Sequence, residues 1–508
     1  MVIRIVKVID RTRKVIDRLP EMIDRTWEMI DSSRFRVRSP AVMGADTKNK
    51  RRGEMRMEQM SLRVKRRKVE GDSLTPVLIF RRLKGRCRFL LESSSQHEGA
   101  GRYSFIGVDP VKAYRGSAVK LEEVVYATGR TYTHEGDLYT MLKRLMPRIA
   151  EEGDYPFTGG AVGYVGYGAA QEVDAVRGEL PDVNFNVYDT VIIFDHLLNE
   201  VTLLHTEIHA EYGRTDLEAL EKLITTGDVE EERGVSVSDY QCTLSQQQFE
   251  DRVRQVQAYI AAGTVEQVVL SRKLEADIEG DPFALYRKLR KQNPSPYMYY
   301  MEFDDHVVIG ASPESLVKVT NDQVVTNPIA GTRRRGRTTE EDIALEEELR
   351  NDSKELSEHD MLVAVSEKEL QTICDPATVN VSNYLQTVRY EHVMHLVSEV
   401  EGTLAPGRHA LDALKATLPA GTVTGSPKKL AMNIISQLEE EPRGIYGGAI
   451  GYIGLNGNID FALTIRTMLV KDKKAFVQAG AGIVEASIPS LEYKETVNKA
   501  RSLLEVVK

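Results

Sequence analysis

The sequence predicts an α+β protein in which two β-sheets face each other and helices lie outside them. Runs rich in β-branched and aromatic residues alternate with longer helical patterns along most of the chain. The phrase GGAVGYVGY at 159–167 returns as GGAIGYIGL at 447–455, and two related strand units suggest two facing sheets. With 508 residues, 42% of them hydrophobic, the chain can bury a sizeable core.

Charge divides the chain into a basic head and an acidic body. Residues 1–71 hold 20 Lys and Arg against 10 Asp and Glu, which gives a net charge of +10 there and −19 in the remainder. Such a head predicts a disordered extension. The acidic stretch at 227–239 predicts a linker between an N-terminal half at 72–226 and a catalytic domain at 240–508.

Beyond residue 71, the spacing of apolar residues places the elements of the body. It predicts strands near 102–107, 159–167, 187–195, 200–206, 267–278, 297–303, 306–319, 323–327, 447–455, 459–470 and 475–484. It predicts helices at 137–151, 215–225, 245–262, 282–291, 339–371, 408–417, 427–439 and 489–507. This mixture of elements is typical of an α+β chain.

The composition argues against several classes of protein. The three cysteines, Cys87, Cys242 and Cys374, form no CxxC pair, which disfavours a disulfide framework and indicates a reducing, cytoplasmic location. No run of residues has the length and apolar character of a membrane-spanning helix. An acidic body without a recognised binding motif disfavours a nucleic-acid-binding protein.

The second glycine phrase opens a predicted β-hairpin that carries an arginine in its second strand. Asn456-Gly457 supplies the turn, and residues 459–470 are predicted to continue as one strand. Alternation then places Arg466 on a small, polar face, where an unpaired buried charge would await an anion. The alternative is an arginine at a sheet edge that pairs with an acidic side chain.

Three carboxylates on predicted helices form a candidate metal site. Glu492 and Glu495, spaced i, i+3, share a face near the start of the last helix, and Glu358 lies on another helix. Oxygen ligands in this number suit Mg²⁺. The alternative is that acidic residues at helix starts only complement the helix dipole.

Several phrases in a fixed order identify a family. They are SPES at 312–315, NPIAGTRRRG at 327–336, LSEHDMLV at 356–363, YEHVMHLVSEVEG at 390–402, PAGTVTGSPKKLAM at 419–432, QAGAGIV at 478–484 and LEYKETVNKA at 491–500. This order resembles the chorismate-utilising enzymes, and among them most closely the large subunits that make anthranilate. The likeness covers roughly residues 73–505.

The resemblance implies a sandwich around a chorismate site and a means of binding both carboxylates of that dianion. It implies that Arg466, helped by Tyr446, holds the enolpyruvyl carboxylate. It implies that Mg²⁺ holds the ring carboxylate, with Glu358 and Glu495 as ligands and Glu492 close by.

The same resemblance assigns catalytic and backbone contacts. Glu314 is similar to the general acid that protonates the departing C4 hydroxyl, and His395, expected on a helix, is similar to the histidine beside the ring. Backbone N–H groups are expected to approach the substrate where glycine removes the side-chain obstacle. The residues concerned are Gly331, Thr332, Gly480, Ala481 and Gly482.

Two positions select the reaction that the resemblance implies. Gln267 stands where isochorismate and salicylate synthases carry a water-activating lysine, and Ala330 stands where many aminodeoxychorismate synthases carry a lysine nucleophile. Attack by ammonia at C2 remains, and it yields anthranilate and pyruvate. No G-x-C-x-G phrase surrounds a cysteine of this sequence, so ammonia is expected from a separate glutamine amidotransferase subunit.

The phrases LLES at 90–93 and NPSPYMYY at 293–300 resemble the feedback site at which tryptophan inhibits this family. The matching positions are Ser93, Pro296, Tyr297 and Met298. Because the phrases come from both halves of the body, an effector bound there would bias the catalytic domain. The alternative is ordinary packing of a strand and a turn.

Two stretches depart from the family pattern. An aspartate is replaced by Ala364, an Arg-Asn-Asp, Gly-Arg phrase is replaced by one with Glu367, Lys368 and Glu369, and a common aspartate is replaced by Ala486. Losses around a metal site weaken metal binding. A catalytically weakened chorismate-binding homologue and an aminodeoxychorismate synthase-like enzyme are therefore alternatives to a magnesium-dependent lyase of tryptophan biosynthesis.

Overall fold

The computed structural model describes residues 63–93, 101–148, 154–170, 178, 180–208, 215–231, 233–390 and 393–507. All of them belong to the unit that spans 59–508. Residues 1–62 of the predicted extension lie outside the described residues. The predicted end of that extension at residue 71 is wrong, because Val64–Glu70 forms a strand that pairs with Glu200–Thr206 and buries Val69 in the core.

The strands fall into an earlier and a later group along the chain. The earlier group is β1 (Val64–Glu70), β2 (Phe89–Glu92), β3 (Tyr103–Gly107), β4 (Lys112–Gly116), β5 (Lys120–Val125), β6 (Arg130–Glu135), β7 (Gly160–Val165), β8 (Val183–Tyr188), β9 (Thr190–Asp195), β10 (Glu200–Thr206), β11 (Val235–Val237) and β12 (Gln241–Cys242). The later group is β13 (Gln267–Gly280), β14 (Tyr297–Glu302), β15 (His306–Ser312), β16 (Ser315–Thr320), β17 (Gln323–Thr326), β18 (Ile329–Arg334), β19 (Asn380–Arg389), β20 (Val393–Thr403), β21 (Gly425–Ser426), β22 (Ala449–Gly454), β23 (Ile459–Leu463), β24 (Thr467–Lys471) and β25 (Lys474–Ile483).

These strands form two antiparallel sheets. Sheet A has the order β1-β10-β9-β3-β2-β14-β15-β24-β25-β13-β11, and β12 and β21 also pair with β13. Sheet B has the order β18-β20-β17-β16-β23-β22-β7-β8-β4-β5-β6, and β19 pairs with β20. Both sheets contain strands from before and after the predicted linker, which itself contributes β11.

An aromatic core lies between the two sheets. Phe105 of sheet A meets Tyr452 of sheet B, with ring centroids 6.1 Å apart, and Phe157 contacts both rings. Alternation along β22 turns Ile450 and Tyr452 toward this core, while Ala449 and Ile453 belong to the core on the other face of sheet B. The predicted class, an α+β protein with two facing sheets, is thus confirmed.

Helices cover the outer faces of both sheets. They are α1 (Pro76–Arg82), α2 (Leu138–Leu145), α3 (Leu217–Thr226), α4 (Gln246–Ala261), α5 (Pro282–Gln292), α6 (Thr339–Asn351), α7 (Ser353–Gln371), α8 (Ala410–Thr417), α9 (Gly421–Thr424), α10 (Lys428–Leu438) and α11 (Pro489–Leu504). In the described part of the chain, short 3-10 turns lie at Tyr167–Ala170, Pro376–Thr378 and Glu505–Val507. Among the described helices, none has the length and hydropathy that a membrane crossing requires.

The repeated glycine phrases occupy one sheet rather than one sheet each. β7 and β22 are antiparallel neighbours in the middle of sheet B, with Gly163 opposite Gly451. The two facing sheets exist, but the two copies of the phrase do not belong to one sheet each. The repeat was therefore the wrong reason to predict two sheets. Similar strands can pair with each other as readily as they can start separate sheets, and the sequence alone does not distinguish these outcomes.

The second strand of the predicted hairpin breaks where the chain leaves sheet B. β22 and β23 form the hairpin around Asn456-Gly457, as predicted, but β23 ends at Leu463. Thr464, Ile465 and Arg466 cross to sheet A, where β24 begins at Thr467. The prediction that Arg466 lies within a continuous strand is wrong, since its φ of 50° is left-handed and incompatible with a strand.

Candidate active site

A cavity of about 540 Å³ lies where the crossing segment, two helices and the ends of several strands meet. Its walls come from β13, β18, β20, β25, α7, α11 and the loops next to them. Twelve of the residues predicted for the substrate, catalytic and metal sites line it: Gln267, Glu314, Gly331, Thr332, Glu358, His395, Tyr446, Arg466, Gly480, Gly482, Glu492 and Glu495. Residues separated by more than 200 positions in the sequence thus share one site.

Arg466 lines the cavity from the crossing segment. Its carbonyl accepts a hydrogen bond from the Ala311 N–H at 3.1 Å, and the Ile465 N–H donates to the Leu463 carbonyl at 2.9 Å, so the bent backbone is fixed to both sheets. Burial lowers the pKa of the guanidinium, and no carboxylate among the described residues forms an ion pair with it. The alternative of an arginine paired at a sheet edge is therefore not the arrangement found, and the site has room for an anion.

Glu314 lies between β15 and β16 and is nine-tenths buried. Its Oε1 accepts a hydrogen bond from the Thr422 hydroxyl at 2.8 Å. Burial raises the pKa of Glu314 to about 7, although Thr422 and Lys499 act in the opposite direction. A carboxyl with this pKa is partly protonated at neutral pH, so it can donate a proton to a leaving group.

His395 lies on strand β20, which corrects the prediction that it belongs to a helix. Its Nδ1 is 3.1 Å from the Gly331 carbonyl and 2.9 Å from the Thr332 hydroxyl. Since a carbonyl oxygen only accepts, Nδ1 carries the proton and Nε2 does not. Burial lowers the pKa of His395 to about 4, and the charges of Arg466 and Lys499 act in the same direction, so the ring is neutral at pH 7.

The two positions that select the reaction carry uncharged side chains. Gln267, at the start of β13, donates a hydrogen bond from Nε2 to Glu358 Oε1 at 3.1 Å. Ala330 is buried on β18 and lines the cavity. Neither position provides an amine, so the water-activating and nucleophilic lysines of other reactions have no counterpart at these two places.

The three predicted metal ligands line one side of the cavity. Burial and the charge of Glu495 raise the pKa of Glu492, while a hydrogen bond from Ser487 acts against them. Glu495 forms an ion pair with Lys499 at 2.7 Å. Among the described residues, no three acidic, histidine or cysteine side chains converge as a ready-made metal site. The donor set fits Mg²⁺, which takes one or two carboxylates and completes its shell with water and a substrate anion.

Two glycines of β25 leave space for neighbouring side chains. A Cβ at Gly480 would lie 2.6 Å from the Tyr446 hydroxyl oxygen, and one at Gly482 would lie 2.8 Å from Gln267 Nε2. Tyr446 is buried and is held beside Arg443, whose guanidinium lies 5.5 Å from the ring. Ala481, by contrast, packs with Phe249 and other residues of the helix-covered core, so its side chain does not line the cavity.

The four residues matched to a tryptophan site lie away from this cavity. Met298 pairs with Glu92 across β14 and β2, and Ser93 follows directly after β2. The Tyr297 hydroxyl donates to Asp460 Oδ1 at 2.9 Å, and burial raises the pKa of Tyr297 well above its usual value. Pro296 is half-buried immediately before β14. The segments that carry these residues are therefore adjacent in sheet A.

Three groups at the site were not predicted from the sequence. Thr422, in the phrase PAGTVTGSP, is the hydroxyl that contacts Glu314. Lys499 lines the cavity and donates to the Gly480 carbonyl at 3.1 Å. Its i, i+4 spacing from Glu495 is a signal that could have identified it. A buried ion pair between Glu439 and Arg443, at 2.7 Å, supports the wall behind Tyr446.

The departures from the family pattern lie outside the cavity walls. Ala364 and Ala486 are both exposed, so neither position touches the cavity. Glu369 forms an ion pair with Lys428 at 2.5 Å, and this pair connects the end of α7 to the start of α10. The altered stretch thus has a structural partner of its own, and the proposed ligands keep their places.

Comparisons with known proteins agree with the motifs. The model of the chorismate binding enzyme family matches residues 87–505. The chain is 41% identical over 455 residues to anthranilate synthase component 1 of Lactococcus lactis. The alignment covers 87% of this chain and 99% of that relative. The solved structure of anthranilate synthase component I from Streptococcus pneumoniae has a TM-score of 0.70 and 37% identity, covering 86% of this chain and 98% of that one. An isochorismate synthase from Escherichia coli shares the fold. It is 18% identical, and the superposition has a TM-score of 0.67 and covers 88% of this chain and 95% of that one.

Proposed function

Since this chain belongs to the chorismate binding enzyme family, we propose that it converts chorismate and ammonia into anthranilate and pyruvate. The atoms balance when the C4 hydroxyl leaves as water, the ammonia nitrogen joins C2, and the enolpyruvyl group leaves with the proton lost from C2. The enzyme is a lyase, and the similarity to anthranilate synthase component 1 over most of the chain supports this reaction over others in the family.

The observation that carries the proposal is the combination of Arg466 and Glu314 in one cavity. Arg466 has no carboxylate partner among the described residues, so a substrate carboxylate can replace the water around it. Glu314 is a buried acid with a pKa of about 7, so it can protonate a departing hydroxyl at neutral pH. Chorismate offers both a carboxylate and an allylic hydroxyl.

The imidazole of His395 is suited to accept the proton that leaves C2. With its proton on Nδ1, the ring has an unprotonated Nε2, and a pKa of about 4 keeps it neutral. A neutral ring can accept a proton when the C3–O bond breaks and aromaticity is gained. Gln267 and Ala330 disfavour addition of water and attack by a lysine, which supports ammonia as the nucleophile.

We infer that Mg²⁺ binds at the helical side of the cavity. Glu358, Glu492 and Glu495 would hold it there, because they line this side, whereas Glu355, which also lines it, is paired with Arg333. When bound, the ion supplies positive charge for the second carboxylate of the substrate. It would also relieve the repulsion between Glu492 and Glu495.

We also infer a glutamine amidotransferase subunit as the source of ammonia and tryptophan as an inhibitor near Ser93 and Tyr297. Glutamine should then support turnover only after that subunit is added, whereas ammonium salts suffice for this chain alone. Calorimetry with L-tryptophan tests the inhibitor site, since Ser93→Phe should remove the binding and relieve inhibition. If L-tryptophan does not bind at millimolar concentration, these strands have a purely structural role.

The reaction itself is tested by mixing the purified chain with chorismate, an ammonium salt and MgCl₂. We expect fluorescent anthranilate and an equal amount of pyruvate, and both products should form at least about 100-fold more slowly with Glu314→Gln at the same enzyme concentration. Formation of isochorismate or aminodeoxychorismate as the end product would assign a different reaction. Binding of chorismate without any product would favour the weakened homologue.

A further inference from the structure

Arg333, in the predicted motif NPIAGTRRRG, makes more hydrogen bonds than its place on a strand requires. It belongs to β18 and is not among the residues that line the cavity. Its Nε donates to Glu348 Oε1 at 2.9 Å, and its Nη2 donates to Asp352 Oδ2 at 2.7 Å. Its Nη1 donates both to the Thr332 carbonyl at 2.9 Å and to Glu355 Oε1 at 3.2 Å.

Two of these acceptors fix the start of α7. Asp352 is the N-cap of this helix, and its Oδ1 accepts from the backbone N–H groups of Lys354 at 3.0 Å and Glu355 at 3.3 Å. Glu355 is in the first turn, and Glu358 follows one turn later on the cavity side, where it accepts from Gln267. A movement of this first turn would therefore move Glu358.

Another acceptor of Arg333, the Thr332 carbonyl, belongs to β18, the strand that orients His395. The Thr332 carbonyl accepts from Arg333, and the neighbouring Gly331 carbonyl and Thr332 hydroxyl contact His395 Nδ1. Gly331 has a φ of +82°, a conformation that favours glycine and that needs support from its neighbours. Arg333 supports the peptide that follows Gly331, because it donates a hydrogen bond to the Thr332 carbonyl.

We propose that Arg333 is a positioning residue that ties β18 to the first turn of α7, so that His395 and Glu358 keep a fixed separation across the cavity. This inference rests on the proposed function, in which His395 contacts the substrate and Glu358 holds the metal. Arginine suits the task because its planar group has donors in fixed directions, whereas lysine has a single nitrogen.

The experiment compares Arg333→Gln, Arg333→Lys and the control Arg334→Gln. Arg334 is the next residue on the same strand, is more than half exposed, and pairs with Glu341 outside this network. For Arg333→Gln, we expect kcat/KM for chorismate to fall by about 10- to 100-fold and the magnesium requirement to rise. Arg333→Lys should recover part of the loss, and Arg334→Gln should stay within about twofold of the wild type.

The nitrogen NMR spectrum of histidine-labelled protein gives a readout that needs no turnover. In the wild type, His395 should show the single tautomer with its proton on Nδ1, identified by loss of its signal in His395→Gln. Both substitutions of Arg333 should produce a mixture of tautomers, because the backbone next to the Gly331 carbonyl loses the hydrogen bond that Arg333 donates to the Thr332 carbonyl. An unchanged tautomer in both Arg333 variants, or kinetics of Arg333→Lys equal to those of Arg334→Gln, would overturn the proposal.

The two readouts also separate this inference from the proposed function. If the wild type makes no anthranilate, the proposed function fails, while the tautomer of His395 still decides whether Arg333 orients it. If Arg333→Gln does not fold, Arg333→Lys carries the test, since it keeps the positive charge among Glu348, Asp352 and Glu355.

Discussion

The two sides of the cavity use the same chemical groups in opposite ways. The strand side, defined as Glu314, His395 and Arg466, comes from loops and strands of the two sheets. The helix side, defined as Glu358, Glu492, Glu495 and Lys499, comes from α7 and α11. On the strand side, the Glu314 carboxyl accepts from the uncharged Thr422 hydroxyl, whereas on the helix side Glu495 contacts the ammonium of Lys499.

The difference shows how surroundings rather than residue type decide what a carboxyl can do. Burial outweighs the opposing effects of the Thr422 hydroxyl and the Lys499 charge and raises the pKa of Glu314 to about 7, so it can carry a proton. On the helix side, Glu495 instead pairs with the ammonium of Lys499, and Glu358 accepts a hydrogen bond from the Gln267 amide. The strand side is therefore suited to proton transfer and the helix side to binding charge.

The largest effect is expected for Glu314→Gln, which keeps the shape of the strand side but removes its proton. A general acid contributes about 10²- to 10⁴-fold, so kcat should fall by that factor while chorismate still binds. Initial rates and a chorismate titration by calorimetry measure the two quantities separately. A variant with kcat within tenfold of the wild type would remove Glu314 from the chemistry.

Arg466→Met should have the next largest effect, because it leaves a substrate carboxylate without a charged donor. A hydrogen bond to a charged group contributes about 1.5–3 kcal/mol, so the affinity for chorismate should fall by about 10- to 150-fold. Steady-state kinetics should show this loss mainly in KM. If KM is unchanged and only kcat falls, Arg466 acts on the transition state alone and the proposed carboxylate contact is wrong.

Glu495→Gln tests the helix side and should be milder. Loss of one carboxylate should raise the magnesium concentration for half-maximal activity by on the order of tenfold, and added magnesium should restore part of the rate. A magnesium titration of the initial rate is the measurement, with Glu440→Gln as an exposed glutamate control. Identical magnesium curves for Glu495→Gln and the control would exclude Glu495 from the metal site.

The smallest effect is expected for Thr422→Val, which removes the hydroxyl that donates to the Glu314 carboxyl. That hydroxyl lowers the pKa of Glu314, so its loss should raise the pKa above about 7. The acid then stays protonated to higher pH, and the alkaline decline of activity should move upward. A shift of that decline toward lower pH would contradict the assignment.

Much of this arrangement could be predicted from the sequence because local patterns carry it. The helical period placed most helices within a few residues, such as 245–262 against Gln246–Ala261. The motifs identified Glu314, His395 and Arg466, and the fold places these residues in one cavity although they lie far apart in the chain. Helix 339–371 was predicted as one piece, but Asp352 ends α6 and caps α7, since its side chain accepts from the following N–H groups.

What the sequence did not reveal depends on contacts between distant segments. The break at Arg466 follows from the transfer of the chain between sheets, which alternation within one strand cannot indicate. β20 was missed because polar and apolar residues mix on its half-buried face, and because its pairing with β18 and β19 in sheet B cannot be read from the sequence. The role of Arg333 also depends on acceptors up to 22 positions away.

The measurement that tests this account most directly is the pH dependence of kcat for anthranilate formation at a fixed concentration of free NH₃. Because Glu314 must be protonated and His395 must be neutral, the rate should decline above about pH 7 and again below about pH 4. Holding NH₃ constant removes the contribution of the nucleophile's own ionisation. A rate that stays level from pH 6 to above about pH 9 would contradict the claim that a buried, protonated Glu314 starts the reaction.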